Sequence, residues 1–237
     1  VGGSFDFVRA WQGKLRTALA QTAGEATRHL ILEGGGQLSD QSARGEVVQW
    51  TSQMLARAEA ALDEGELAQV FTGCACHYPA EELIPLREAF AHAGDLYAIL
   101  AQLQERFEHF LTSIIKLPRE CLDEVVSRGW GLAGRLVGDT IIATKIPKSG
   151  YLLEYLQELD RDRRRALYCH CPRVRSAVAD GQQLSKTYCY CGAGYYQNLW
   201  ETILDQPVKV EVVSSVLSGD DTCTVAIHLP PGIYAAM

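Results

Sequence analysis

The sequence predicts an α+β fold: a helical N-terminal half packed with an antiparallel sheet and helices in the C-terminal half. Two observations carry this. Between Asp95 and Lys116, Leu96, Ile99, Leu100, Leu103, Phe107, Phe110, Leu111, Ile114 and Ile115 recur at three and four residues, the spacing of a helix with one apolar face, and Gln104, Glu105 and Glu108 fall opposite. Beyond Trp130 the period drops to two. Val208, Val210 and Val212 alternate, as do Cys223, Val225, Ile227 and Leu229, which is the pattern of strands covered on one side. The change falls at Gly129–Gly131 and divides the chain into a helical region, residues 1–129, and an α+β, cysteine-rich, ligand-binding-like domain, residues 130–237.

Taken in order, the first helix is expected over about Phe7 to Leu32, with Trp11, Leu15 and Leu19 on one face, and the second over about Ser42 to Ala61; "LEGGGQLSD" between them is a loop or hinge. Pro79 with Glu81 and Glu82 makes a favourable first turn of a further helix. Pro118 ends the helix that begins at Asp95. "GLAGRLVGDTIIATKI" holds two β-branched runs around Gly138 and Asp139, and "VKVEVVSSVLSGDDTCTVAIHL" holds two more around Ser218 to Asp221; each reads as a hairpin. Between the hairpins, "LYCHCP" and "TYCYCG" each read as a strand running into a helix. Pro172 suits a first helical turn and Gly181 a C-terminal cap, and a helix from about Gly194 to Leu204 would bury Tyr196, Leu199, Trp200 and Ile203.

A formal charge of −7 argues against nucleic acid or an anionic membrane as partner, because either calls for a basic surface. A small-molecule ligand is the expected partner. No run of about 18 apolar residues is present and "VGGSFDFVRA" lacks a signal-peptide pattern, so a cytoplasmic location is expected.

In a reducing compartment, clustered cysteines hold metal or do redox chemistry more often than they form structural disulfides. Six of the eight cysteines form three Cys-x-Cys pairs: Cys74 and Cys76, Cys169 and Cys171, Cys189 and Cys191. On extended strands both sulfurs of a pair share a face, so Cys169, Cys171, Cys189 and Cys191 could converge as four thiolates. Zinc is the default for such a set, an iron–sulfur cluster the less favoured alternative. Cys74 and Cys76 either join the four or stand apart, with His77 as an added nitrogen ligand. Cys171 and Cys191 lie near helix N-termini, where the dipole favours thiolate. His170 and His77 are the candidate proton carriers. Cys121 and Cys223 read as core filler. "KIPKSG" lacks the order of a phosphate loop, and "RDRRR" reads as a solvated helix face.

The stretch "YCHCPRVR … TYCYCGAGYYQNLWETILDQPVKVEVVSSVLSGDDTCTVAIHL", within Leu167 to Leu229, resembles bacterial proteins similar to L-2-amino-thiazoline-4-carboxylic acid hydrolase. More distantly it is similar to the small-molecule-binding domains named after 4-vinyl reductase. The resemblance implies an α+β fold that binds a small molecule beside its sheet and, for the first group, hydrolytic opening of a sulfur-containing ring. Three readings follow. A metal-assisted hydrolase would use an open coordination position, a ligand sensor would use a closed structural metal, and a redox protein would use Cys171 and Cys191 as a reversible thiol pair. The helix after Cys191, with Tyr195, Tyr196 and Trp200, packed on the terminal hairpin would leave concave space for a ligand near the cysteines; a plain aromatic core is the competing and favoured reading.

Overall fold

A computed structural model describes residues 5–233. The expected α+β architecture is observed. Five helices lead: α1 (Phe7–Ile31), α2 (Arg44–Ala61), α3 (Glu64–Gly73), α4 (Ala80–Ala93) and α5 (Leu96–His109). Helix α1 starts where the Asp6 carboxylate accepts the Arg9 N–H at 2.9 Å, and Asp40 from the following loop accepts the Phe7 and Val8 N–H groups at 2.8 and 3.0 Å. Its Trp11, Leu15, Ala18 and Leu19 stripe is buried as the periodicity requires, and Gly24, at φ 78°, kinks it. Helix α3 lies in a stretch assigned no element above. Its start is a reciprocal capping box between Asp63 and Glu66.

In α5, Leu96, Ile99, Leu103 and Phe107 are buried, but the apolar stripe does not run on unbroken. The chain widens to a π-helical turn at Phe110–Ile114, which keeps Leu111 inside and turns Ile114 out to 66% exposure. Pro118 then caps α6 (Arg119–Ser127).

Both hairpins form. Strands β1 (Arg135–Val137) and β2 (Thr140–Thr144) turn at Gly138, whose φ of 64° suits a left-handed turn position; β3 (Lys209–Ser214) and β4 (Thr224–His228) make the second hairpin, with an irregularity between Val212 and Ser214. β2 pairs with β4, Ile141 opposite Ile227 and Ala143 opposite Val225, giving one antiparallel sheet of order β1-β2-β4-β3. Between the hairpins lie α7 (Leu152–Gln157), α8 (Arg161–Tyr168), α9 (Pro172–Ala179) and α10 (Tyr190–Leu204).

Helix α10 packs on the inner face of the sheet. Leu199, Trp200 and Ile203 are wholly buried against Ile141, Val225 and Ile227, with Leu83, Leu86 and Leu103 of α4 and α5 closing the same core. The space expected for a ligand between α10 and the terminal hairpin is therefore filled by side chains. A second core joins Trp11, Leu15, Leu19 and Phe71 to Val174, Ala177 and Tyr188, and a third gathers Phe107, Trp130, Tyr155, Tyr168 and Val216. Both α1 and α3 thus reach the region of the cysteines.

Helices α3 and α10 cross closely because Gly194 has no side chain: a Cβ there would fall 2.3 Å from the Thr72 carbonyl oxygen. No helix among the described residues is long and apolar enough to cross a membrane.

Candidate functional site

The segments "LYCHCP" and "TYCYCG" are not strands. Tyr168 closes α8, Cys169 to Cys171 form a short extended link, and Cys171 is the N-cap of α9. In the other segment, Lys186–Cys189 is a single 3₁₀ turn that runs straight into α10, four residues earlier than the expected Gly194. On a helix, residues two apart point about 200° away from each other instead of the same way. Cys189 accordingly meets the buried Ser215 hydroxyl, Sγ to Oγ 2.7 Å, while Cys191 turns toward the backbone carbonyl of Cys74 at 3.7 Å.

This overturns the zinc and iron–sulfur expectation for Cys169, Cys171, Cys189 and Cys191, with Cys74 and Cys76. Among the described residues, no three or more His, Cys, Asp or Glu side chains are arranged to hold a metal ion. All eight cysteines are free thiols, so the paired redox reading falls with it. Cys74 is buried with its Sγ on the Val70 carbonyl at 3.1 Å, and Cys76 and His77 lie exposed just beyond the α3 C-terminus, Cys76 near enough for its field to reach Cys191. His170 places Nε2 3.0 Å from the Ile146 carbonyl.

What the fold does gather is a cluster of thiols. Cys169, Cys171, Cys189, Cys191 and Cys223 are each partly exposed yet crowded by protein. Cys223 belongs to this group and is no mere filler, since its field is felt at both Cys169 and Cys189. Burial dominates the thiols and keeps them protonated: Cys189 is pushed up to about 12 and Cys191 to about 11, and Cys74, Cys169 and Cys223 also rise. The Lys145 ammonium, just after β2, opposes that rise at Cys169, Cys189, Cys191 and Cys223 without overcoming it.

Hydrogen bonds hold the link in place. Arg175 donates to the Cys169 and His170 carbonyls at 3.1 and 3.2 Å, the Lys148 N–H donates to the Tyr168 carbonyl at 3.0 Å, and the Tyr168 hydroxyl donates to the Lys145 carbonyl while accepting the Cys223 N–H at 3.1 Å. These bonds tie the Cys169–Cys171 link to the Lys145–Lys148 loop.

The centre of the site is Arg173, in the first turn of α9. It is 8% exposed, and its Nη1 donates to the Tyr188 hydroxyl at 3.1 Å and toward the Cys171 sulfur at 3.8 Å. Tyr188 and Cys171 also bond each other, O to S 3.1 Å. The guanidinium lies over the Trp11 ring, 4.5 Å from its centroid, and Trp11 in turn packs on Tyr188 at 5.4 Å. No carboxylate among the described residues lies within ion-pair distance of Arg173. Burial works against its charge, but Tyr188 and Cys171 outweigh burial and raise its pKa. Tyr188, wholly enclosed, is itself held protonated by burial, with Cys171 adding to the rise.

The sequence reading missed Arg173, Tyr188, Trp11 and Lys145. One local signal was available. A cation in the first turn of a helix stands against the helix dipole, and a local choice that conflicts with its element marks a site under another demand. Trp11 and Lys145 carry no such signal, since only packing brings them here.

Of the two best-formed hollows, one is a shallow depression of about 490 Å³ beside Leu153, Glu154 and Gln157. The other, about 140 Å³, lies between Val8, Val47, Val48 and Arg173. Neither is lined by a cysteine.

Fold and site together define an α+β protein with a cluster of thiols and cations at the start of two helices. Residues 163–233 match the model of a family of unknown function (DUF6144), a segment that runs from α8 past β4 and includes Cys171, Arg173 and Tyr188. No curated protein and no solved structure matches the chain.

Proposed function

We propose that the protein acts in the cytosol through Cys171 as a nucleophilic thiolate that attacks an electrophilic carbon of a small molecule. One observation carries the reading: the buried guanidinium of Arg173 has a thiol where a carboxylate is expected. Enclosing a cation without a counter-charge costs several kcal/mol, of order, and the acidic protons in contact with Arg173 are those of Cys171 and Tyr188. Burial holds Tyr188 in its hydroxyl form. The pair is then Arg173 with the Cys171 sulfur, and Tyr188 stays a hydroxyl that can donate. The N-cap position on α9 adds the positive end of the helix dipole.

In the chemical step, a lone pair of the Cys171 thiolate forms a sulfur–carbon bond, the leaving group departs with its bonding electrons, and Tyr188 hands it a proton. Water then attacks the same carbon and gives a proton back to Tyr188, and the sulfur leaves as thiolate beside Arg173. The resemblance over Leu167 to Leu229 supports a small-molecule substrate.

The test is timed alkylation with iodoacetamide at pH 7, read by peptide mass. Cys171 is expected to label faster than the exposed Cys76, and Arg173→Met to slow Cys171 by about tenfold, the effect of roughly 1.4 kcal/mol. Labelling of Cys171 no faster than that of Cys76 would overturn the reading.

A further inference from the structure

We propose that the substrate of this site carries a negative charge, a carboxylate or an equivalent small anionic group, and that the ammonium of Lys145 is its anchor. The inference rests on the nucleophile reading of Cys171 for the word substrate, but the anion site itself stands on separate groups.

Arg9, Arg28, Arg87, Arg119, Arg128, Arg161 and Arg165 have carboxylate partners, while exposed cations such as Arg16, Arg44, Arg135 and Lys209 have none among the described residues. Lys14, Lys145, Lys148, Arg173 and Arg175 have none within ion-pair distance among the described residues. Three of these bond neutral groups: Lys14 the Ala75 carbonyl at 2.5 Å, Arg173 the Tyr188 hydroxyl, and Arg175 the carbonyls of the Cys169 link. Around the Cys169–Cys171 link, Lys145, Lys148, Arg173 and Arg175 thus stand together with no carboxylate to neutralise them.

Within that set Lys145 is the group with room to act. Its ammonium makes no hydrogen bond among the described residues and points at Gly192 in the first turn of α10, where a Cβ would stand 3.3 Å from Nζ. The absent side chain keeps the space beside the amine open. Cys169 and Cys191 each feel both Cys171 and Lys145, so the nucleophile and the ammonium flank the same two neutral sulfurs. The Arg173 Nε–H is a further buried donor without a partner, on a residue 8% exposed. The Trp11 indole is directed at Cys191, where its hydrogen bond opposes the rise that burial imposes. Asp220, whose field reaches Cys223, is engaged with the Ser215 N–H at 2.8 Å. An anion at Lys145 would thus meet a cation, protonated thiols and a spare donor.

The test compares two alkylating reagents that attack the same sulfur, iodoacetate with its carboxylate and neutral iodoacetamide. Their rate ratio at Cys171 cancels changes in the sulfur's own nucleophilicity, and the same ratio at exposed Cys76 is the reference. The ratio at Cys171 is expected to exceed that at Cys76 by about tenfold, to fall to the Cys76 value in Lys145→Met and to persist in Lys145→Arg. Fast labelling by iodoacetamide with no preference for iodoacetate, or a preference that survives Lys145→Met, would overturn the anion proposal while leaving the nucleophile reading intact. Should neither reagent label Cys171, the nucleophile reading fails, and the anion site is then judged in Cys171→Ser: a thermal midpoint raised by acetate over chloride at equal ionic strength, and lost with Lys145→Met, upholds it, and no difference between the salts sinks it.

Discussion

Arg173 Nη1 and Cys171 Sγ stand 3.8 Å apart across two residues of chain, with the Tyr188 hydroxyl bonded to both. The closeness is local in sequence, but its consequence is not, because Tyr188 and Trp11 come from elsewhere to enclose the charge.

Tyr188→Phe is expected to cost about 1–3 kcal/mol of stability, the penalty for leaving a buried donor unsatisfied, here Arg173 Nη1. Urea titration measures it. A loss within about 0.5 kcal/mol, the range of an ordinary surface change, would mean that Arg173 finds another partner.

Gly194→Ala is expected to destabilise by about 2–3 kcal/mol, because the new Cβ strikes the Thr72 backbone, which cannot give as a flexible side chain would. Gly13→Ala, in the interior of α1 with nothing within 4 Å of its Cβ, should instead stabilise by about 0.5–1 kcal/mol. Denaturant unfolding of the two variants side by side separates the packing effect from the backbone one. Equal outcomes would contradict the α3–α10 contact.

His170 gives a pH dependence. Burial first, then the Lys145 ammonium, lowers it from 6.5 to about 3, with Lys148 and Arg175 adding to the effect and the Ile146 carbonyl opposing it. The unfolded chain therefore binds the extra proton between about pH 6.5 and 3 while the folded one does not, so stability falls as pH drops through that window, by at most about 1.4 kcal/mol per pH unit. Thermal midpoints from pH 7 to 4 should decline less steeply in His170→Asn than in the native chain. Superimposable curves would remove His170 from the account.

Tyr168→Phe removes the hydroxyl that joins the Lys145 carbonyl to the Cys223 N–H. A stability loss of about 1–3 kcal/mol is expected, together with a reduced iodoacetate preference at Cys171, since the backbone that carries the ammonium loses its tie. Retained preference with lost stability would show that Lys145 is held by other contacts.

By itself the sequence determined what short-range physics fixes. Asp6, Asp95 and Pro118 start helices where the chain says they should, and the alternation in β4 buries Val225 and Ile227 through a pattern only a few residues long. The Asp63–Glu66 capping box was equally readable, although the fold assignment passed over α3. "TYCYCG" was not readable, because a run of six residues has too few apolar positions to separate a period of two from one of 3.6. Tertiary structure decided that segment. Leu199, Trp200 and Ile203 anchor α10 on the sheet, and extending that helix back to Tyr190 sends Cys189 and Cys191 opposite ways. The same packing decided the site: Trp11 lies far from Cys171 and Tyr188 in the chain and meets them because α1, α3, α9 and α10 share buried faces around them. Side-chain direction in a short polar segment is set by the element it joins, and that element was fixed here by contacts made across the whole chain.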